Sequence, residues 1–193
     1  MLLFGIKENV KYEEIIKSSK FISLIFRVDS QKDVYLYLDN IKKEYPGATH
    51  YCYGYVIDNE KKSSDDSEPS KTAGYPIMKQ IEGNGLNYVL LVVVRYFGGI
   101  KLGIGPLTRT YSKMAGEVIK KACKVSLVKG YNVNVSFSYK EIKKVDFILK
   151  DSKVIDKVFD NNVSYNAIVT KETLEKLSKY DISINKEVYI EKE

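Results

Sequence analysis

The sequence predicts an α+β protein of two domains, one over residues 1–126 and a smaller one over 127–193. Three observations predict it. Val89–Val94 is an unbroken apolar run, as expected of a strand covered on both faces. A helix with a 3.6-residue apolar stripe follows Pro106. From Tyr131 onward the signals come in the order β-α-β-β-α-β, each with its own stop. A chain of 193 residues can bury one good core or two small ones.

In the first domain, Lys20–Val28 alternates, with Phe21, Ser23, Ile25 and Arg27 on one side and Ile22, Leu24, Phe26 and Val28 on the other. Ser30 opens a helix with Asp33 placed to cap it. Val34, Tyr37, Leu38, Ile41 and Tyr45 form its stripe, and Pro46-Gly47 ends it. Thr49–Ile57 is a second strand, with Tyr51, Tyr53 and Tyr55 on one face and His50 with Cys52 on the other. Asp58–Gly74 is polar, lacks periodicity and reads as a loop. Leu86–Phe97 is a buried strand, and Phe97–Pro106 turns the chain. Pro106 suits a first helical position, and the helix behind it buries Leu107, Tyr111, Met114, Ala115, Val118, Ile119 and Ala122. The pattern fades across Val125–Lys129, where the domain boundary is placed.

The second domain opens with Tyr131, Val133, Val135 and Phe137 alternating with polar residues. Ile142, Val145, Ile148 and Leu149 mark a short amphipathic helix. Lys153–Phe159 and Val163–Val169 are strands joined at Asp160-Asn161-Asn162. Thr170 caps a helix carrying Leu174 and Leu177, and Ile182–Ile190 is the last strand. This is the ferredoxin-like split arrangement.

No apolar run approaches the ~20 residues that span a bilayer. The first residues lack the basic stretch of a signal peptide, and Cys52 and Cys123 show no framework spacing. These features predict a cytoplasmic protein in a reducing compartment, with no membrane partner. The formal charge of +6 falls mostly in the first domain, so attraction to nucleic acid is expected there. A Lys-rich composition alone also follows from an AT-rich genome. Arginine says more: of Arg27, Arg95 and Arg109, the last two bracket the glycine-rich turn.

Two loops stand out. In Ser63–Gly74, Asp65, Asp66 and Glu68, with Thr72 nearby, could hold a hard cation or receive a basic partner; a solvated loop tip explains the same residues. In Phe97–Pro106, Gly98, Gly99, Gly103 and Gly105 permit tight turning and close approach of a ligand. Free amides at the following helix start, with Arg95, Lys101 and Arg109, suit a phosphate. Purely structural glycines are the competing explanation. The turn is neither a Walker A loop nor a full dinucleotide fingerprint. His50 and Cys52 share a strand face, yet no third group orients them, so packing explains them better than catalysis. One His and two separated Cys make no structural zinc site. The tyrosine row of the second strand would stack bases if exposed and is core if a helix covers it.

Ser64-Asp65-Asp66-Ser67-Glu68-Pro69 with Thr72-Ala73-Gly74, followed by Val94-Arg95-Tyr96-Phe97-Gly98-Gly99-Ile100-Lys101-Leu102-Gly103, resembles the signature of the IMPACT/YigZ family. The likeness extends to Lys20-Phe21, His50, Arg109 and Tyr111, and to the C-terminal unit of bacterial members. Ser67 and Lys71 stand where that signature usually has glycine, and Pro106 replaces another glycine. The resemblance implies a first domain like ribosomal-protein domain 2 and domain IV of elongation factor G, and a second like domain V of that factor. Eukaryotic members regulate translation initiation through a further domain absent from this sequence. Some bacterial members carry a proline-peptidase label, but the sequence offers no set of carboxylates and histidines for two metals.

The expected function is therefore a translation-linked binding protein that contacts ribosome, RNA or a translation factor, without cofactor or metal. Two alternatives stay open: a protein-partner module using the acidic loop, and a metal-dependent hydrolase of a phosphorylated or peptide substrate, in which Asp65, Asp66 and Glu68 bind the metal and His50 moves protons.

Overall fold

Residues 3–191 are described by a computed structural model, and the chain divides between Ser126 and Leu127. The first unit runs β1 (Leu3–Ile6), β2 (Val10–Ile16), β3 (Ser19–Arg27), α1 (Gln31–Glu44), β4 (His50–Ile57), β5 (Glu60–Ser64), α2 (Gly74–Gly83), β6 (Val89–Tyr96) and α3 (Ile104–Lys121). Its antiparallel sheet has the order β2-β3-β6-β4-β5. β6 lies at the centre, and its side chains alternate between two cores. Val89, Leu91 and Val93 face α2 and α3, while Leu90, Val92 and Val94 face α1. The unbroken apolar run follows from this double covering.

Helix α1 begins with the capping box read from the sequence. Ser30 Oγ accepts the Asp33 N–H at 3.3 Å, and Asp33 Oδ2 accepts the Ser30 N–H at 2.9 Å. The tyrosine row lies under this helix. Tyr55 is buried, and Tyr51 and Tyr53 pack half-buried against the same core, which removes them as a stacking platform.

Three expectations change. The Asp58–Gly74 stretch is not all loop, because Glu60–Ser64 pairs with β4 as an edge strand. Its side chains are almost all exposed, so no apolar alternation marks it. Helix α2 has no counterpart in the sequence reading, since Gly74 and Pro76 disguise its first turn; it buries Ile77, Met78 and Ile81. Pro106 occupies the third position of α3, behind Gly103 as N-cap, Ile104 and Gly105. The third amide of a helix has no intrahelical partner, so proline loses nothing there.

β7 (Lys124–Phe137) starts just before the division and runs on into the second unit, where α4 (Ile142–Ile148), β8 (Lys153–Phe159), β9 (Val163–Thr170), α5 (Lys171–Leu177) and β10 (Asp181–Glu191) follow. The antiparallel strand order is β10-β7-β9-β8. Val133, Val135 and Phe137 point into a core with Val145, Tyr165, Ala167 and Leu177. The Thr170 side chain accepts the Thr173 N–H at 3.1 Å and caps α5. Among the described residues no helix is long and apolar enough to cross a membrane.

Candidate anion-binding turn and the buried network beneath it

The acidic loop holds itself together. The Asp65 carboxylate accepts N–H bonds from Lys71 at 2.8 Å, Ala73 at 2.9 Å and Gly74 at 2.8 Å. It thereby caps α2, whose own N-cap, Ala73, has no side chain able to do so. Asp66 Oδ2 accepts the Tyr51 N–H at 2.6 Å, and the Asp66 carbonyl accepts the His50 Nδ1–H at 2.8 Å. The Thr72 hydroxyl donates to the Pro69 carbonyl at 2.6 Å. Ser67 and Lys71 have φ of +67° and +63°, the left-handed region that glycine adopts most cheaply. Neither residue is glycine, so the loop carries backbone strain at both positions.

Glu68 turns inward, with its side chain 4% exposed. Glu68 Oε1 accepts from Arg95 Nη1 at 2.6 Å and from the Tyr111 hydroxyl at 2.7 Å. Its Oε2 lies 3.7 Å from His50 Nε2. Strand register gathers this set: β6 Arg95 is opposite Phe21 of β3 and His50 of β4. Phe21 and Phe97 lie 5.3 and 5.4 Å from the Arg95 guanidinium. Arg95, expected to face an anion, is buried and ion-paired instead. A guanidinium enclosed this way is compensated by its carboxylate rather than by a ligand.

The Cys52–His50 pair is not assembled. Cys52 Sγ–H donates to the Asp65 carbonyl at 3.0 Å, while His50 engages Asp66 and Glu68. Burial pushes the Cys52 thiol well above its ordinary range, the opposite of an activated nucleophile. Burial likewise pushes the Tyr111 hydroxyl up. Each carboxylate of the acidic loop is bonded to its own protein donors, and among the described residues no group of three His, Cys, Asp or Glu could hold a metal.

The glycine turn is exposed from Phe97 to Lys101 and again from Gly103 to Gly105. Leu102 anchors it in the core beside Leu107 and Tyr111. A Cβ at Gly98 would overlap the Ser18 carbonyl, so the turn presses on the β2–β3 hairpin there; the Gly98 N–H donates to Ser19 Oγ at 3.2 Å. Gly99 and Gly103 have φ of +86° and +83°. The Ile104 and Gly105 amides start α3 without a side-chain cap, and the first helical bond runs from the Leu107 N–H to the Gly103 carbonyl at 2.9 Å. Lys101 and Arg109 are exposed and make no ion pair among the described residues. Arg109 Nη1 folds back to 3.6 Å from where a Gly105 Cβ would stand, over the start of the helix. The two loops are thus joined from below: Glu68 of one grips Arg95 and Tyr111, which flank the other.

Residues 17–119 match the Impact N-terminal domain. The chain belongs to the IMPACT family. It is 33% identical over 182 residues to the IMPACT family member YvyE of Bacillus subtilis (strain 168), covering 92% of this chain and 84% of that one. An IMPACT family member of Haemophilus influenzae is 30% identical over 179 residues, covering 89% and 87%. IMPACT family member YigZ of Escherichia coli (strain K12) is 34% identical over 113 residues, covering 56% and 55%. The crystal structure of a hypothetical protein shares the fold, with a TM-score of 0.75 at 24% identity, over 100% of this chain and 98% of that one. In this IMPACT protein the signature residues divide into two sorts. Glu68, Arg95, Thr72 and Asp65 build the loop, and Lys101, Arg109 and the glycines form the surface above it. The sequence did not separate them, because a buried arginine and an exposed one are written alike. Lys17, at the tip of the neighbouring hairpin, is a further exposed cation, and no sequence motif surrounds it.

Proposed function

We propose that this IMPACT protein is a binding protein of the translation machinery, which contacts ribosomal or other RNA through the glycine turn and the start of α3. The observation that carries the reading is the pair of unpaired cations, Lys101 and Arg109, beside the free Ile104 and Gly105 amides on an exposed turn. Phosphate is the natural guest of such a helix start. The acidic loop supports the turn rather than offering a second surface, since Asp65, Asp66 and Glu68 are each engaged by protein donors. That favours RNA over a basic protein partner and over a metal-dependent hydrolase. The strand order β10-β7-β9-β8 supports a ferredoxin-like second unit, and with it the likeness to domain V of elongation factor G. A cytoplasmic location goes with this role.

Co-sedimentation with ribosomes, before and after nuclease treatment, tests the proposal. Wild-type protein should travel with the ribosome and be released by nuclease, and Lys101→Ala/Arg109→Ala should stay in the supernatant. Equal association of both proteins, surviving nuclease, would point to a protein partner instead.

A further inference from the structure

Beside the glycine turn, between the β2–β3 hairpin and α3, lies an open cleft of about 430 Å³. We propose that this cleft binds a phosphate ester of nucleotide size, its phosphate held by Lys17, Arg109 and Thr110; the proposal rests on the anion-binding reading above and names a second contact for it. Lys17 (φ +44°) and Ser18 (φ +65°) form the two-residue tip of the hairpin, and both line up with the left-handed turns that join antiparallel strands. Gly98 packs against the Ser18 carbonyl, so hairpin and glycine turn are fixed to one another. Lys17 and Arg109 both line the cleft, are exposed, and make no ion pair among the described residues.

Thr110 is the observation independent of charge. It is 7% exposed and lines the cleft, yet its hydroxyl has no hydrogen-bond partner among the described residues. The only fully enclosed, unpaired side-chain N or O atoms among those residues are Ser23 Oγ and Arg95 Nε. The Thr110 hydroxyl therefore opens onto the cleft, where it can donate to an incoming oxygen. The one carboxylate in the wall, Glu14, does not cancel the field. It is held by Lys113 at 2.6 Å and by the Tyr12 hydroxyl at 2.7 Å. Lys17 and Arg109 remain as the net charge. Leu102, Pro106 and Ile16 supply an apolar wall, and the volume suits a nucleoside phosphate better than a bare ion.

The ester could belong to an RNA chain or to a free mononucleotide, and the test separates them. Full-length protein is titrated with uridine monophosphate and with a short oligouridylate, followed by amide NMR shifts. Thr110→Val keeps the side-chain shape, and Lys17→Asn keeps a residue that tolerates positive φ. Each should weaken binding about 10-fold, as expected for a hydrogen bond to a charged group. Weakening confined to the oligonucleotide assigns the site to RNA, and equal weakening for both assigns it to a nucleotide. If neither variant changes binding of either probe while Lys101→Ala reduces it, the cleft is not the site and the broader reading stands. If neither probe moves the Lys17, Arg109 or Thr110 resonances, and Lys101→Ala is also silent, both fall.

Discussion

Replacing Glu68 by glutamine tests the buried network most severely. The side chain keeps its shape, but the charge facing Arg95 disappears. Both partners are nearly enclosed, at 4% and 5% exposure, so water does not screen the loss. Arg95 would keep only a long bond from Nη2 to Ser19 Oγ at 3.4 Å, and its Nε is already unpaired. Removing one member of a buried ion pair costs about 3–5 kcal/mol. That is a large part of the ~5–15 kcal/mol that holds a domain together. With a urea dependence of ~1–3 kcal/mol per molar, the midpoint should fall by at least about 1 M. The two units need not unfold together, so the readout is hydrogen exchange at β6 amides during the urea series, which reports the first unit. Combining Glu68→Leu with Arg95→Met should recover part of the loss, since an apolar pair of similar volume often matches a buried ion pair, while the Tyr111 hydroxyl loses its carboxylate acceptor. A midpoint unchanged by Glu68→Gln would mean that the guanidinium is hydrated, and the description of the network would be wrong.

Ser67→Gly and Lys71→Gly should each raise thermal stability by up to ~1 kcal/mol, because both positions have positive φ. A lowered Tm for both would refute the strain. Gly98→Ala should destabilise far more than either of these gains, given the overlap with the Ser18 carbonyl, and a Tm within a degree of wild type would contradict that packing. Cys123 is exposed and Cys52 buried with a raised thiol pKa, so iodoacetamide at pH 8 should modify Cys123 and spare Cys52 in the native protein. Mass spectrometry that finds native Cys52 alkylated at a comparable rate would refute its enclosure.

Much of the architecture was legible because burial leaves a periodic mark. The capping box of α1, the doubly covered β6 and the alternation of β7 all follow from apolar spacing. Strand β5 left no such mark, because it is an edge strand of lysines and serines whose pairing partner is set by the Asp58-Asn59 turn. Helix α2 was hidden by glycine and proline in its first turn, and its cap, Asp65, lies nine residues before Gly74. The candidate site was legible as a set of residues but not as an arrangement. Spacing shows that Arg95, Lys101 and Arg109 are near one another in sequence, yet only the folded arrangement shows that Arg95 points at Glu68 while the other two face water. Thr110 could have been suspected, as a polar residue inside the apolar stripe of α3.

The salt dependence of RNA binding reaches the proposed role most directly. Each phosphate neutralised on a single strand contributes about −0.7 to the slope of log K against log salt. If Lys101 and Arg109 each meet a phosphate, Lys101→Ala/Arg109→Ala should flatten the wild-type slope by about 1.4. Superimposable slopes for the two proteins would show that these cations never touch the RNA backbone.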